Sequence, residues 1–201
     1  MLETKKFGMV SLGCDKNRVD AERLLGILRE KGYCITDDIA EANVLIVNTC
    51  AFLNSARKEA IDTVLDCDAY RNGNLEKIVV TGCLPEKFSA ELFPTLTEAD
   101  VFLGCNDADK LLEAIERSYQ EGRVNMVHSG REWEGQRTLT TPLHYAYLKI
   151  ADGCNNHCTY CLIPKIRGRY RSYPMEKLVA EAESLGELSE LILVAQDTTR
   201  Y

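Results

Sequence analysis

The sequence predicts an α/β protein in which a helix-covered parallel sheet is followed by the start of a second domain. Between residues 5 and 121, short apolar runs alternate with amphipathic helical patterns, which is typical of a parallel sheet with helices packed on it. Residues 123–142 lose this periodicity and gather Gly, Ser, Thr and Arg, which predicts a linker. A strand, helix and strand pattern then resumes over 143–201. We therefore expect a first domain over 1–122, a linker over 123–142 and a second domain from 143.

The first domain has four predicted strands, at residues 7–12, 44–48, 78–81 and 101–103. The helix after the first strand is predicted from Ala21, Leu24, Leu25 and Leu28, which fall on one face, and Asn17 is its predicted N-cap, with Asp20 three residues on. Further helical faces are predicted within residues 60–65, 86–92 and 108–119.

The second domain has a predicted strand at 145–150, a helix at 175–185 and a strand at 190–195. This is too little to cover both faces of a parallel sheet. We therefore expect the sequence to stop inside a larger barrel, and we expect fast amide exchange from about residue 143 onward.

Composition limits the possible functions. The formal net charge is −7 and the pI is near 5.1, which gives no overall attraction to nucleic acid. The sequence starts without an apolar leader and has no run long enough to span a membrane, so we expect a cytoplasmic protein. It has nine cysteines, an odd number that argues against complete disulfide pairing and favours metal ligands or catalytic thiols.

The strongest local pattern is the spacing C-x3-C-x2-C of Cys154, Cys158 and Cys161, directly after a predicted strand. Three thiolates on one loop can hold three irons of a 4Fe-4S cluster and leave the fourth iron open to a substrate. The alternative is a zinc site with His157 or a distant residue as the fourth ligand, although zinc folds usually contain two paired knuckles.

A second cysteine set is spread along the chain. Cys14, Cys50 and Cys83 each follow a predicted strand, and the carboxyl ends of parallel strands meet in one crevice, so the three thiolates could share one ion or cluster. Alternatively, they are small buried hydrophobic residues. Cys105 follows the fourth strand and competes for membership of the set, whereas Cys34 and Cys67 look like surface or packing cysteines.

The Cys154 loop resembles that of the radical S-adenosylmethionine (SAM) superfamily. The resemblance implies that the open iron binds SAM and that an electron from the cluster cleaves it. It also implies that Tyr160, Gln196 and Asp197 contact SAM, although Tyr160 could equally be a core aromatic, and polar residues at a strand end are also ordinary turn formers. Lys165, Arg167, Arg169 and Arg171 form a basic run, which is either a solvated surface or a group that binds the SAM carboxylate or an acidic substrate. We select Arg169 for the SAM contact.

The order of several motifs is similar to that of the methylthiotransferase family. These motifs are SLGCDKN at 11–17, NTCAF at 48–52, GCLPEKF at 82–88, LIPKIRGRYRS at 162–172 and AQDTTRY at 195–201. The resemblance implies a flavodoxin-like first domain in which Cys14, Cys50 and Cys83 hold an auxiliary 4Fe-4S cluster, and then the start of a radical SAM (TIM-like) partial barrel. Asp15 stands where the family motif has proline, which puts the geometry of that loop in question. Complete members add the rest of the barrel and a small β-domain called TRAM.

The motif AQDTTRY favours the branch of the family that modifies protein over the branch that modifies tRNA. The implied activity is addition of a methylthio group to the β-carbon of an aspartate in small-subunit ribosomal protein S-twelve. Its implied cofactors are two 4Fe-4S clusters and SAM, with an electron donor such as flavodoxin or ferredoxin. The alternatives are a tRNA methylthiotransferase and a non-enzymatic metal-binding fragment. We expect residues 1–201 alone not to turn over, since the SAM contacts also need the remaining barrel strands.

Overall fold

The computed structural model describes residues 2–130 and 135–201, and its first domain is built on a six-stranded parallel sheet. The strand order is β2-β1-β3-β4-β5-β6 and every neighbouring pair is parallel. The bounds are β1 Lys6–Ser11, β2 Cys34–Ile35, β3 Val44–Thr49, β4 Lys77–Gly82, β5 Val101–Phe102 and β6 Val124–Asn125. The predicted α/β class and the flavodoxin-like parallel sheet are confirmed.

Helices cover both faces of this sheet: α1 Asp15–Glu30, α2 Asn54–Asp68, α3 Cys83–Leu92 and α4 Leu111–Glu121. Successive side chains of a strand point to opposite faces, and β3, which is buried along its whole length, shows the result. Val44 and Ile46 pack in the cluster that contains residues of α1 and α4. Leu45 and Val47 pack in the cluster that contains residues of α2. The first domain therefore has an apolar core on each side of its sheet.

The start of α1 differs from the prediction. The helix begins at Asp15, Cys14 is its N-cap residue, and Asn17 lies inside the helix, so the prediction of Asn17 as N-cap is wrong. The Asn17 amide is instead buried and donates to the carbonyl oxygens of Leu12 (2.6 Å) and Thr49 (3.2 Å). Asp15 occupies the first helical position, which accepts proline, and an acid there suits the helix dipole. The departure from the family motif therefore fits this loop.

Two strands of this sheet were absent from the prediction, and each has only two residues. These are β2 and β6, which form the edges of the sheet. Strand β6 lies within the predicted linker. Further along that segment, Thr138 N donates to the Glu22 carbonyl oxygen (3.0 Å), and Thr140 N donates to the buried Glu22 carboxylate (2.8 Å). Residues 138–140 thus lie against α1.

The second region contains the strands β7 Tyr145–Lys149, β8 Ala151–Asp152, β9 Arg171–Ser172 and β10 Glu190–Val194, and the helices α5 Ile163–Ile166 and α6 Met175–Ser184. Strands β7 and β10 are parallel, and β8 and β9 form an antiparallel pair that closes the cysteine loop. Leu178 of α6 packs on Leu148 and Ile150. The predicted barrel is not evident in the described part of the chain.

Four charged side chains join the two regions in a largely buried network. Lys149 and Asp152 have no exposed surface and Arg167 is 2% exposed. Lys149 pairs with Asp20 of α1 and with Asp152 (3.3 Å), and Arg167 pairs with both carboxylates. Asp20 was expected beside a helix cap, but it contributes to this network from within α1.

The helices found in residues 2–130 and 135–201 were also compared with the length and apolar character that a membrane span needs, and none of them meets both.

Candidate metal centre

Cys14, Cys50 and Cys83 follow β1, β3 and β4, which are adjacent strands of the sheet. Because these strands are parallel, all three residues lie at the same edge. Cys14 is the N-cap residue of α1 and Cys83 is the first residue of α3. A helix amino terminus favours the thiolate form of a cysteine, which is the form that ligates metal. The sheet thus places the three cysteines at one edge.

Two glycines allow the cysteine loops to approach each other. Gly13 and Gly82 precede Cys14 and Cys83, and their φ angles of 97° and 94° disfavour other residues. A Cβ atom on Gly13 would lie 2.7 Å from the Cys50 Cβ and 3.3 Å from its Sγ. A Cβ on Gly82 would lie 2.6 Å from the Thr49 carbonyl oxygen, in the residue before Cys50. Each glycine-cysteine pair in the sequence therefore serves close packing around Cys50.

The pKa of the Cys50 thiol responds to its burial and to the other two thiols. Burial raises the pKa of the Cys50 thiol, and negative charge on Cys83 and on Cys14 raises it further. Backbone N–H groups of Phe52 and Ala51 act in the opposite direction by hydrogen bonding to its sulfur. The site thus supplies donors for a Cys50 thiolate, while the mutual repulsion of the thiolates favours a cation among them.

Two hydrogen bonds lower the pKa of the Cys83 thiol. The Cys105 thiol, whose sulfur is 4.0 Å from that of Cys83, donates a hydrogen bond to it, and Arg167 Nη2 donates a second at 3.5 Å. These contacts lower the pKa of the Cys83 thiol to about 6, the Cys105 hydrogen bond having the largest effect, although burial opposes the shift. The same hydrogen bond and burial raise the pKa of Cys105. Cys105, which the sequence offered as an alternative member of the first cysteine set, is thus a direct neighbour of Cys83.

The second cysteine set lies on the loop between β8 and α5. Cys154 is buried, Cys161 is half-buried and Cys158 is exposed. The Asn156 N–H points to the Cys154 sulfur and the Ile163 N–H points to the Cys161 sulfur, both at 3.5 Å. Backbone donors that point at sulfur stabilise thiolate ligands. The loop therefore offers two supported sulfurs and one open to solvent.

The predicted SAM-contacting residues lie in different environments. Tyr160 is 82% exposed, so it is not a core aromatic, and Arg169 is also exposed. Asp197 accepts a hydrogen bond from Asn156 of the cysteine loop at 3.1 Å. The side-chain oxygen of Gln196 is buried and accepts no hydrogen bond from the described residues. Asp197 is thus tied to the second cysteine set, and Gln196 has an acceptor available for a ligand.

The residues of the basic run differ in burial. Lys165 and Arg169 are exposed, whereas Arg167 is buried against Asp20, Asp152, Asn17 and Cys83. This difference in burial was not predicted, because alternating basic residues are usually solvated. Asn17, Asp20, Lys149 and Asp152 were also absent from the predicted site. The only available signal was a polar residue within an otherwise apolar helix or strand pattern.

Among the described residues, no group of three or more His, Cys, Asp or Glu side chains converges tightly enough to hold a single metal ion. The cysteines of each set lie on one edge or one loop without forming a closed cage.

Comparison with known proteins gives one family match and several close relatives. Residues 6–104 match the family described as "Uncharacterized protein family UPF0004". The chain is 50% identical over 201 residues to the "Ribosomal protein uS12 methylthiotransferase RimO" of Clostridium tetani, covering 98% of this chain and 45% of that protein. Proteins of the same name from Clostridium kluyveri and a Thermoanaerobacter species are 47% and 45% identical, covering 100% and 98% of this chain and 46% of each relative. The chain therefore spans a little under half the length of these relatives.

Proposed function

We propose that the chain belongs to the methylthiotransferase family and is the cluster-binding part of an enzyme that adds a methylthio group to the β-carbon of an aspartate in ribosomal protein S-twelve. It matches the amino-terminal part of its relatives. The observation that supports this most is the position of Cys14, Cys50 and Cys83 at one sheet edge, beside a region with a separate loop of three cysteines.

The first cysteine set has the chemistry that an auxiliary 4Fe-4S cluster needs. Its ligands would be thiolates, and the surroundings favour negative sulfur through the helix amino termini at Cys14 and Cys83, the backbone donors at Cys50 and the cation of Arg167. Cys105 supports Cys83 as a hydrogen-bond donor and is not proposed as a ligand.

The second cysteine set would hold the cluster that binds SAM. Cys154, Cys158 and Cys161 would supply three ligands and leave one iron for SAM. The buried, unpaired oxygen of Gln196 and the carboxylate of Asp197 would accept hydrogen bonds from a ligand amino group. Exposed Arg169 would pair with a carboxylate, and exposed Tyr160 would offer a ring face for the adenine.

When bound, the two clusters and SAM would supply the sulfur-transfer and radical chemistry that the side chains cannot perform. The protein would hold the thiolates, orient SAM and keep both clusters facing one cavity. An electron donor such as flavodoxin or ferredoxin would reduce the SAM-binding cluster. Because ribosomal proteins are made in the cytoplasm, the enzyme would act there.

Mass spectrometry of candidate substrates tests this proposal. The full-length enzyme is reconstituted anaerobically with iron and sulfide and incubated with SAM, a one-electron reductant and either ribosomal protein S-twelve or tRNA. We expect a methylthio group on an aspartate of the protein and none on tRNA. The matched control replaces Cys154, Cys158 and Cys161 by alanine and should be inactive. Modified tRNA beside unmodified protein would assign the chain to the tRNA branch instead.

A further inference from the structure

Arg167 is a buried arginine that lies between the two cysteine sets. It follows Cys161 by six residues, and its N–H donates to the Ile163 carbonyl oxygen at 2.7 Å, so its backbone is fixed by the end of the second cysteine loop. Its guanidinium reaches out of the second region into the first domain, where Nη2 lies 3.5 Å from the Cys83 sulfur. Arg167 therefore connects one cysteine loop to a sulfur of the other set.

The guanidinium also contacts the loops of the other two cysteines through Asn17. Arg167 Nη2 donates to the Asn17 side-chain oxygen at 3.1 Å. The Asn17 amide donates in turn to the carbonyl oxygens of Leu12, two residues before Cys14, and of Thr49, directly before Cys50. The Arg167-Asn17 pair thus lies among all three loops of the first cysteine set.

An ion pair between the regions does not by itself explain this placement. The carboxylates of Asp20 and Asp152 are both already paired with Lys149. Arg167 Nη1 contacts the same two carboxylates, whereas Nη2 points away from them to Asn17 and Cys83. The planar fork of arginine allows both sets of contacts at once, and a lysine would offer only one point charge.

We infer that Arg167 is a positioning residue that donates an N–H···S hydrogen bond to Cys83 and thereby raises the reduction potential of the cluster held by Cys14, Cys50 and Cys83. The inference rests on the proposed function, which supplies that ligand set. Reduction adds negative charge to a cluster, and both a hydrogen bond to a ligand sulfur and a buried cation stabilise the reduced state. Removing them therefore lowers the potential.

A redox titration of one isolated cluster provides the test. In a parent chain with Cys154, Cys158 and Cys161 replaced by alanine, only the first set remains to bind iron. The anaerobically reconstituted parent and its Arg167→Gln variant are titrated with dithionite and followed by visible absorption and electron paramagnetic resonance. We expect the ratio of reduced to oxidised cluster in the variant to fall at least tenfold at a fixed solution potential, equivalent to about 59 mV for a one-electron couple.

Two further variants distinguish the effect of the Arg167–Cys83 contact on the reduction potential from the effect of docking between the two regions. Arg167→Lys keeps the positive charge near both carboxylates but loses the second N–H group of the guanidinium. The reduction potential of the cluster should therefore also fall, but by less than in Arg167→Gln. If Arg167→Gln does not fold, the Arg167→Lys result tests the inference. Asp20→Asn disturbs the same ion-pair network but leaves the Arg167 contact to sulfur and removes a negative charge. Its potential should stay the same or rise.

The possible results separate the inference from the proposed function. An unchanged potential in both Arg167 variants overturns the inference while leaving the ligand set intact. A fall in Asp20→Asn as large as in Arg167→Gln also overturns it, because docking would then control the potential. A parent chain that binds no iron refutes the ligand set itself, and the inference fails with it.

Discussion

The first domain and the second region are stabilised in different ways. The sheet of the first domain has an apolar cluster on each face, and β3 is buried along its whole length. The second region has a small apolar cluster around Leu148 and leaves Leu191 and Leu193 exposed on β10. It contacts the first domain through the charges of Lys149, Asp20, Asp152 and Arg167. It also contacts that domain through Ile166, which packs in an apolar cluster with first-domain residues. The comparison indicates that the first domain folds independently, whereas the position of the second depends on buried charge and on the contact of Ile166.

Removing the central cation of the network should have the largest effect. Replacing Lys149 by methionine keeps much of the side-chain volume but leaves two carboxylates with less compensation, and breaking a buried ion pair costs about 3–5 kcal/mol. We expect amide protection to be lost across Tyr145–Lys149 and kept across Val44–Thr49. Equal loss in both strands would show that the two regions unfold as one unit.

The same leucine-to-alanine change should have different effects in the two regions. Leu28 is fully buried in the first domain, so Leu28→Ala should lower the free energy of unfolding by about 2–5 kcal/mol in urea. Leu193 is 54% exposed, and Leu193→Ala should change it by no more than about 0.5 kcal/mol. A large loss from Leu193→Ala would mean that β10 is covered within this chain.

Acid should release the second region before it unfolds the first. Burial alone would raise the pKa of Asp20 and Asp152, but the charges of Lys149 and Arg167 outweigh it and hold both pKa values below the ordinary value. Groups with a depressed folded-state pKa stabilise the protein above their unfolded pKa, about 3.9 for aspartate, and lose this effect as pH falls further.

We therefore expect protection of Tyr145–Lys149 to decline below about pH 4 while that of Val44–Thr49 persists. Amide exchange measured at a series of pH values provides the test. In the matched Asp20→Asn variant, the pH dependence of β7 protection should be weaker. Simultaneous loss of protection in β3 and β7 would contradict the expectation.

Two glycine substitutions test the packing of the first cysteine set, because iron binding separates two otherwise similar changes. Gly13→Ala and Gly32→Ala both place alanine at a positive φ, which costs about 1–3 kcal/mol. Only Gly13 lies against Cys50, whereas a Cβ on Gly32 would meet nothing within 4 Å. Iron bound at the first cysteine set should therefore fall in Gly13→Ala and stay normal in Gly32→Ala. Equal iron in the two would indicate that the loops do not need this close approach.

Much of the first domain was predictable because strand and helix periodicity is local. The four predicted strands lie where β1, β3, β4 and β5 form, and the cysteines after the first three mark the carboxyl edge of the sheet. The two-residue strands β2 and β6 form the edges of the sheet, and their assignment depends on pairing with the neighbouring strand. The start of α1 was misplaced because Asn17 resembles a capping residue, although its amide bonds to two distant carbonyl groups.

The contact between the regions could not be predicted from the sequence. Asp20 and Arg167 are separated along the chain by 147 residues, so no local pattern connects them. The proximity of Cys105 to Cys83 has the same origin, because the strands that precede them, β4 and β5, are paired in the sheet. Family motifs pointed to the two cysteine sets, but the buried polar residues around them are identified only by the three-dimensional structure.

The most direct test of the account is the count of iron and sulfide bound by the anaerobically reconstituted chain and by two triple variants. The account predicts about eight irons in the parent, and about four after alanine replacement of either Cys14, Cys50 and Cys83 or Cys154, Cys158 and Cys161. Cys105→Ala, as the matched single change, should keep the parental count. Unchanged iron in either triple variant, or loss of about four irons in Cys105→Ala, would contradict the assignment of the two cysteine sets.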